Sequence, residues 1–389
     1  MTTTTQNSAV ATSNRIMSID VMRGLIIIFM MLDHVRERFF LHVPVSDPMD
    51  IHTTPPELYF SRYLAHLCAP MFVFLTGLSA WLYAHPANKP YRSPSKFLAT
   101  RGLFLIFLEL TAVYLVWASS FSTIFLQVIW AIGLCMLALS VLSRMNYWLT
   151  GVLGFIIVIG HNLLSPVSFT PDEWGYSIWT LLHDRGYLIA DGSVPVKVSY
   201  PVLPWIGVIL VGYFAGPIYQ HSRSLAGRKK WLLTAGLTCY ATLLVLRGFN
   251  LYGEAADWHT QTSALLTIMD FFNFTKYPPS LNFLLMTIGT GLLLLCLFET
   301  VDNPLTKALN VFGSVPMFVY LLHLYALLAL YGVLYVFYGD NQGSRFGFDS
   351  IVMVWAVTAL LPVVLYKPVK WFAGYKHREK RNKPWLTYF

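Results

Sequence analysis

Apolar runs of membrane length, broken by short polar stretches, recur along the whole chain. A bilayer core of about 30 Å asks for about 20 apolar residues per helix. By that measure the pattern predicts ten spans: one within residues 15–38, then 58–84, 97–118, 124–142, 147–164, 200–219, 231–246, 281–298, 311–337 and 351–366. No internal repeat is evident. Residues 1–14 are Thr/Ser-rich with no cationic start, which reads as a disordered tail and not as a signal peptide. Residues 15–375 form one transmembrane domain in this reading, and 376–389 a basic cytoplasmic tail.

Composition agrees with the pattern. Only 12% of the 389 residues are charged and 56% are hydrophobic, with a mean hydropathy of +0.56. A soluble chain carries about a quarter charged residues. The fold class is therefore all-α, a polytopic integral membrane protein. The net charge of +8 belongs to loops, not to a nucleic-acid surface. Lys and Arg gather in alternate connections: Lys89, Arg92, Lys96 and Arg101; Arg144; Arg223, Arg228, Lys229 and Lys230; and the stretch after Tyr366. The intervening connections are mixed or acidic, with Asp47, Asp50 and Glu57, then Asp172, Glu173, Asp184 and Asp191, then Glu254 and Asp257. The bias puts both termini in the cytoplasm and the long connections 165–199 and 248–280 outside. Each of those holds a Trp/Leu-rich piece that either lies on the membrane surface or folds back into the bundle. Cys68, Cys135, Cys239 and Cys296 sit in apolar segments without metal-like spacing, and read as small buried hydrophobes.

The first span stands apart. Its middle, 24–32, is nine uncharged residues, bounded by Asp20 and Arg23 on one side and by Asp33 and His34 on the other. On a helix Asp20, Arg23, Ile27, Met31 and His34 share one stripe, while Asp33 points roughly 100° away from His34. Arg23 and His34 lie about 16 Å apart along the axis, half the hydrocarbon thickness. Ionisable groups inside spans are costly and each is a candidate for function. Arg23 offers a guanidinium fork for phosphate, or an ion pair with Asp20. His34 can accept a proton at near-neutral pH, as a general base must. His66 precedes Pro70 by four residues, which leaves its own carbonyl free. Glu109 is a lone carboxylate in mid-span, best read as paired with a structural partner. His323 reads as core or as catalytic, His161 and His183 fall near the outer side, and Lys276 faces an anionic group or snorkels to the interface. No metal site is expected.

The stretches RIMSIDVMRGLIIIFMMLDH, APMFVFLTGLSAWL, QVIWAIG, YPVLPWIGVILVGYFAGP, NFTKYPPSLNFLLMTIG and FGSVPMFVYLLHL, in this order, resemble the heparan-α-glucosaminide N-acetyltransferase catalytic-domain family, in particular its bacterial members. The spacing of Arg23 and His34 also resembles that of the acyltransferase-3 membrane enzymes, distant relatives with a shared transmembrane acyl-transfer logic. The resemblance implies an acyl-CoA-dependent acyltransferase. It would take an acyl group, usually acetyl, from acetyl-CoA in the cytoplasm to an amine or hydroxyl of a carbohydrate or glycoconjugate on the far side. It implies functional roles for Arg23 and His34; taken with the buried polar groups above, the catalytic candidates are His34, His66 and Asp33, and the binding candidates Arg23, Asp20 and Lys276. One departure stands out. The lysosomal enzyme carries a catalytic histidine where this chain has Pro56, and an aspartate where it has His66. Besides acyl-CoA and acceptor, the expected partners are the lipid bilayer, here a bacterial inner membrane, and not nucleic acid; a homodimer is permitted. The competing class is a transporter or flippase of a lipid-linked sugar or small anionic solute, which also needs buried charge. A purely structural membrane protein leaves the buried histidines unexplained.

Overall fold

The computed structural model describes residues 16–87, 89–118, 122–191 and 193–389; the tail expected at 1–14 lies outside them. Helix α1 (Met17–Phe39) is the axis of the bundle. It packs against six other helices: α2 (Pro56–Ala65), α3 (Cys68–Ala84), α12 (Leu281–Phe298), α13 (Pro304–Gly313), α14 (Pro316–Tyr338) and α15 (Ile351–Glu379). Around these lie α4 (Ser95–Leu108), α5 (Tyr114–Ala118), α6 (Val128–Leu142), α7 (Tyr147–Gly160), α9 (Leu203–Phe214) and α10 (Leu225–Gly248). Two short helices, α8 (Tyr176–Leu182) and α11 (Ala264–Phe271), sit in the long connections.

Among the described residues seven helical stretches are long and apolar enough to cross a membrane: Pro56–Ala84, Ser95–Ala118, Tyr147–Leu164, Leu225–Gly248, Leu281–Phe298, Pro316–Tyr338 and Ile351–Glu379. Val128–Leu142 and Leu203–Tyr219 are apolar but shorter. The chain is thus a mostly helical membrane protein. Its outer helices turn apolar side chains outward, Trp148, Ile156, Leu244, Val336, Phe337, Val363 and Trp371 among them, as a surface solvated by lipid requires. The charges of α1 point inward: Asp20, His34, Arg36 and Arg38 are all buried.

Several expected spans are interrupted. The second breaks at His66 and Leu67, between α2 and α3, where Pro70 removes a backbone donor. The third passes through a π turn, Glu109–Val113, between α4 and α5. The span expected at 311–337 is two elements, because Pro316 starts α14 and cannot continue α13. Residues 124–126 are not helical. They form β1 (Ile124–Leu126), which joins β2 (Gly186–Ile189) and β3 (Val196–Val198) in a small sheet ordered β1-β3-β2. The β1 pairing with β3 is parallel, with Ile124 opposite Val196, and ties the 165–199 connection to the start of α6.

Helix pairs approach at glycines. A methyl group on Gly77 of α3 would strike the Ile209 carbonyl of α9, and one on Gly212 would strike the Phe74 carbonyl in return. The same reciprocity links Gly102 with Gly133; Gly236 and Gly289 also lie opposite each other, but there an added methyl would first meet the side chains of Leu293 and Cys239. Small residues of this kind let backbones in a bilayer come into direct contact. At the start of α1, Gly24 faces Leu309 and Gly313 faces the Asp20 carbonyl, so α13 lies backbone to backbone along it.

Candidate active site

The polar residues of α1 gather partners at both of its ends. At the N-terminal end, Arg23 Nη1 donates to Asp20 Oδ1 at 2.8 Å, and Nη2 donates to Ser79 Oγ of α3 at 2.5 Å. Arg23 is thus ion-paired, and it also lines a cavity of about 640 Å³. That cavity runs along α1 from Arg23 to Met30, about 10 Å of helix. Arg101, Lys376 and Lys380 join Arg23 in its wall, while Phe72, Ile129, Ile132, Met317 and Tyr320 make the rest largely apolar. A second basin of about 1050 Å³ meets the first at Arg23, Ser79, Lys380 and Thr387, and adds Lys89, Arg92 and Arg381. The turn Pro384–Tyr388 folds back onto this region. Arg101 donates to the Thr387 carbonyl, and Phe104 packs on Tyr388 with ring centroids 4.8 Å apart.

At the C-terminal end, Asp33 Oδ1 accepts from Arg36 at 3.0 Å and from Arg62 of α2 at 3.3 Å. Arg36 also reaches Glu37 at 3.4 Å. The side chain of Lys276 is buried, 3% exposed, so it does not snorkel. Its Nζ lies 5.1 Å from the Tyr277 ring centroid, within electrostatic reach of Asp33, His34 and His66. The Tyr277 hydroxyl donates to Tyr200 at 3.1 Å. Asp47, in the loop after α1, accepts from the backbone N–H groups of Lys276 and Tyr277 and holds that turn in place. Burial pushes the Asp47 carboxyl above the usual aspartate range, although Lys276 and these two donors pull the other way.

His34 stands between the two ends' chemistries. Its Nδ1 is 2.7 Å from Nε2 of His323, a residue with no exposed surface. Trp117 and Tyr320 meet the ring of His34 edge-on, at centroid distances of 6.2 and 5.9 Å. Tyr320 belongs to the cavity wall as well, so one side chain separates His34 from the cavity that begins at Arg23. His66 is 2% exposed and packs on Phe283 and Tyr63. It shares no hydrogen bond or ring contact with His34 among the described residues.

Glu109 and His183 have structural partners, while both ring nitrogens of the buried His161 make no hydrogen bond among the described residues. Glu109 Oε2 accepts from the N–H of Trp130 at 3.2 Å, in the first turn of α6. It serves as a cap from outside the helix, where the N-cap residue Gln127 offers no side-chain bond of its own. His183 Nε2 donates to the His161 carbonyl at 3.1 Å and its Nδ1 pairs with Asp184 at 2.9 Å. His161 itself is buried beside that ring. All of these groups lie off the cavity walls. Among the described residues no cluster of three or more His, Cys, Asp or Glu side chains is arranged to hold a metal ion.

Sequence reasoning counts Arg101, Lys376 and Lys380 only as loop charge and passes over Ser79 and Tyr320. A lysine after a span reads the same whether it faces water or a cavity, so charge bias alone cannot single these residues out.

Comparison with known proteins bears on the chemistry. No curated protein matches the chain. The family model for heparan-alpha-glucosaminide N-acetyltransferase, catalytic, matches residues 15–248, which takes in α1, its partners α2 and α3, and the helices α4 to α10. That is more than half of the chain, and the protein belongs to this family of membrane acetyltransferases.

Proposed function

We propose that the protein carries an acetyl group from cytoplasmic acetyl-CoA to an amine or hydroxyl of a sugar on the extracytoplasmic side of a bacterial inner membrane. In this reading ten helices cross the bilayer and both termini are cytoplasmic, as the alternation of Lys and Arg between connections favours. The observation that carries the proposal is the cavity along α1. It is cationic where Arg23, Arg101, Lys376 and Lys380 stand, and it ends at Tyr320 beside His34. The cations suit the phosphates of CoA, and the apolar walls suit a pantetheine arm whose thioester reaches toward the middle of the membrane.

His34 is the proposed base, because it adjoins the cavity wall, whereas His66 packs on Phe283 and Tyr63. The acceptor nitrogen or oxygen attacks the thioester carbonyl carbon and gives up its proton to His34. The new C–N or C–O bond forms, the C–S bond breaks, and His34 returns the proton to the CoA thiolate. Lys276, buried within electrostatic reach of Asp33 and His34, is the proposed cation to favour charge developing on the carbonyl oxygen or to meet an anionic acceptor. Asp33 keeps Arg36 and Arg62 neutralised around it, and Asp20 orients Arg23.

The test uses proteoliposomes with labelled acetyl-CoA and a panel of amino sugars. His34→Ala should slow acetyl transfer by about 10²–10⁴-fold, the usual share of a general base. If the parent protein moves acceptor across the bilayer and acetylates none of the panel, the enzyme reading gives way to a carrier. If His66→Ala is inactive and His34→Ala keeps its full rate, the base is His66.

A further inference from the structure

The contact between His34 and His323 has a definite direction. Their rings are nearly parallel, 6° apart, with centroids separated by 5.0 Å. The nitrogens facing each other are only 2.7 Å apart, too close for stacked ring faces. The rings therefore share one plane and meet edge to edge through a near-linear hydrogen bond.

The proton on that bond can be assigned. His323 Nδ1 lies 2.8 Å from the carbonyl oxygen of Val319, one turn earlier on α14. A carbonyl only accepts, so His323 carries its proton on Nδ1. In neutral His323 the other nitrogen, Nε2, is then an acceptor, and His34 Nδ1 must be the donor. It follows that His34 Nε2 holds the lone pair. No hydrogen bond occupies Nε2 among the described residues, and it is absent from the fully enclosed polar atoms. A proton arriving at Nε2 leaves both bonds of the relay intact, so His34 can cycle between neutral and charged forms without turning its ring.

We propose that His323 is a positioning residue. Through Val319 it holds His34 in the tautomer whose Nε2 can take the acceptor's proton. The inference rests on the reading of His34 as base. It adds the second histidine and the tautomer, in the manner of a triad whose orienting group is a neutral imidazole in place of a carboxylate.

Nitrogen-15 NMR of protein labelled at histidine tests it, with His34→Ala to identify the His34 signals. The parent should show His34 with a protonated Nδ1 and a bare Nε2. His323→Met keeps the bulk and removes the acceptor. It should move His34 toward the Nε2–H form and lower kcat by about 10–100-fold, the size of effect found when a metal-bound histidine loses its outer partner, with little change in KM for acetyl-CoA. His323→Gln, whose amide oxygen can accept from Nδ1–H, should recover most of the rate. A parent spectrum with the His34 proton on Nε2 overturns the proposal without recourse to any variant at 323. So does an unchanged kcat in His323→Met where His34→Ala is inactive. A fully active His34→Ala would instead overturn the choice of base, while the NMR result on the tautomer would stand or fall separately.

Discussion

Arg62 on α2 donates to Asp33 on α1 across 3.3 Å, and this bond joins the helix that carries His34 to the one that leads into His66. Both side chains are largely buried, at 9% and 16% exposure, and Asp33 serves Arg36 as well. Asp33→Asn therefore leaves Arg62 without its carboxylate and Arg36 with only the longer contact to Glu37, at 3.4 Å. Removing one member of a buried pair costs about 3–5 kcal/mol, and the loss should sit near the upper end because two cations share this partner. Arg62→Met should cost less, since Arg36 still neutralises Asp33. Thermal unfolding in detergent would compare the two, and equal losses would mean that the Arg36 pair contributes little.

Arg23→Ala should weaken CoA binding. A hydrogen bond to a charged group is worth about 1.5–3 kcal/mol. The figure should fall at the lower end, because Asp20 already neutralises Arg23 and because Arg101 and Lys376 share the cavity. Acceptor affinity should stay nearly unchanged. Calorimetric titration with CoA decides, and equal binding by folded mutant and parent would leave Arg23 as the ion-pair partner of Asp20 alone.

The side assignments have a direct check. Cysteines introduced at Lys229 and Lys380 should be labelled from the cytoplasm by an impermeant maleimide. Cysteines at Asp172 and Asp257 should be labelled from the opposite face. Labelling of position 172 from the cytoplasm alone would reverse the orientation and send the donor to the other end of α1.

Glu254, in the loop after α10, receives hydrogen bonds from the hydroxyls of Thr275 and Ser280. Burial outweighs them and holds its carboxyl above the ordinary glutamate range. The sign follows. A carboxyl with a raised folded value stabilises the fold most below its unfolded value, about 4.3, and that contribution is lost as the pH rises through the folded value. The melting temperature of the parent relative to Glu254→Gln should fall as the pH is raised from about 4.3 toward neutrality. A difference that does not vary with pH would contradict this.

Much of the bundle is legible in the sequence, because an apolar run long enough to span a bilayer has few other fates. The stretch 281–298 is one helix in both accounts. What escapes is whatever depends on contacts between distant segments. Ile124 reads as the start of a helix, yet it pairs with Val196 in a strand, and nothing local to either residue announces the other. The stripe on α1 puts Arg23 and His34 on one face, but the partner of His34 is His323, far along the chain, seen in the sequence only as one more histidine in an apolar run. Glu109 is legible as needing a partner; that the partner is the first turn of α6 is not.

The reciprocal glycines bear on what the molecule is able to do with its helices. Where Gly77 faces the Ile209 carbonyl and Gly212 the Phe74 carbonyl, neither helix can slide along the other without driving a side chain into backbone. The pairs α3 with α9 and α4 with α6 are joined backbone to backbone in this way. A carrier that exposes its site alternately to two sides must shear or hinge somewhere, and seams of this kind, α1 with α13 included, resist shear. On α14 and α15, Gly332 and Gly374 make no close approach to another helix. There the contact is between side chains instead, with Phe318 of α14 stacked on Phe372 of α15 at 3.9 Å between ring centroids, while α3, with Ser79, and α4, with Arg101, pack backbone to backbone on their partners.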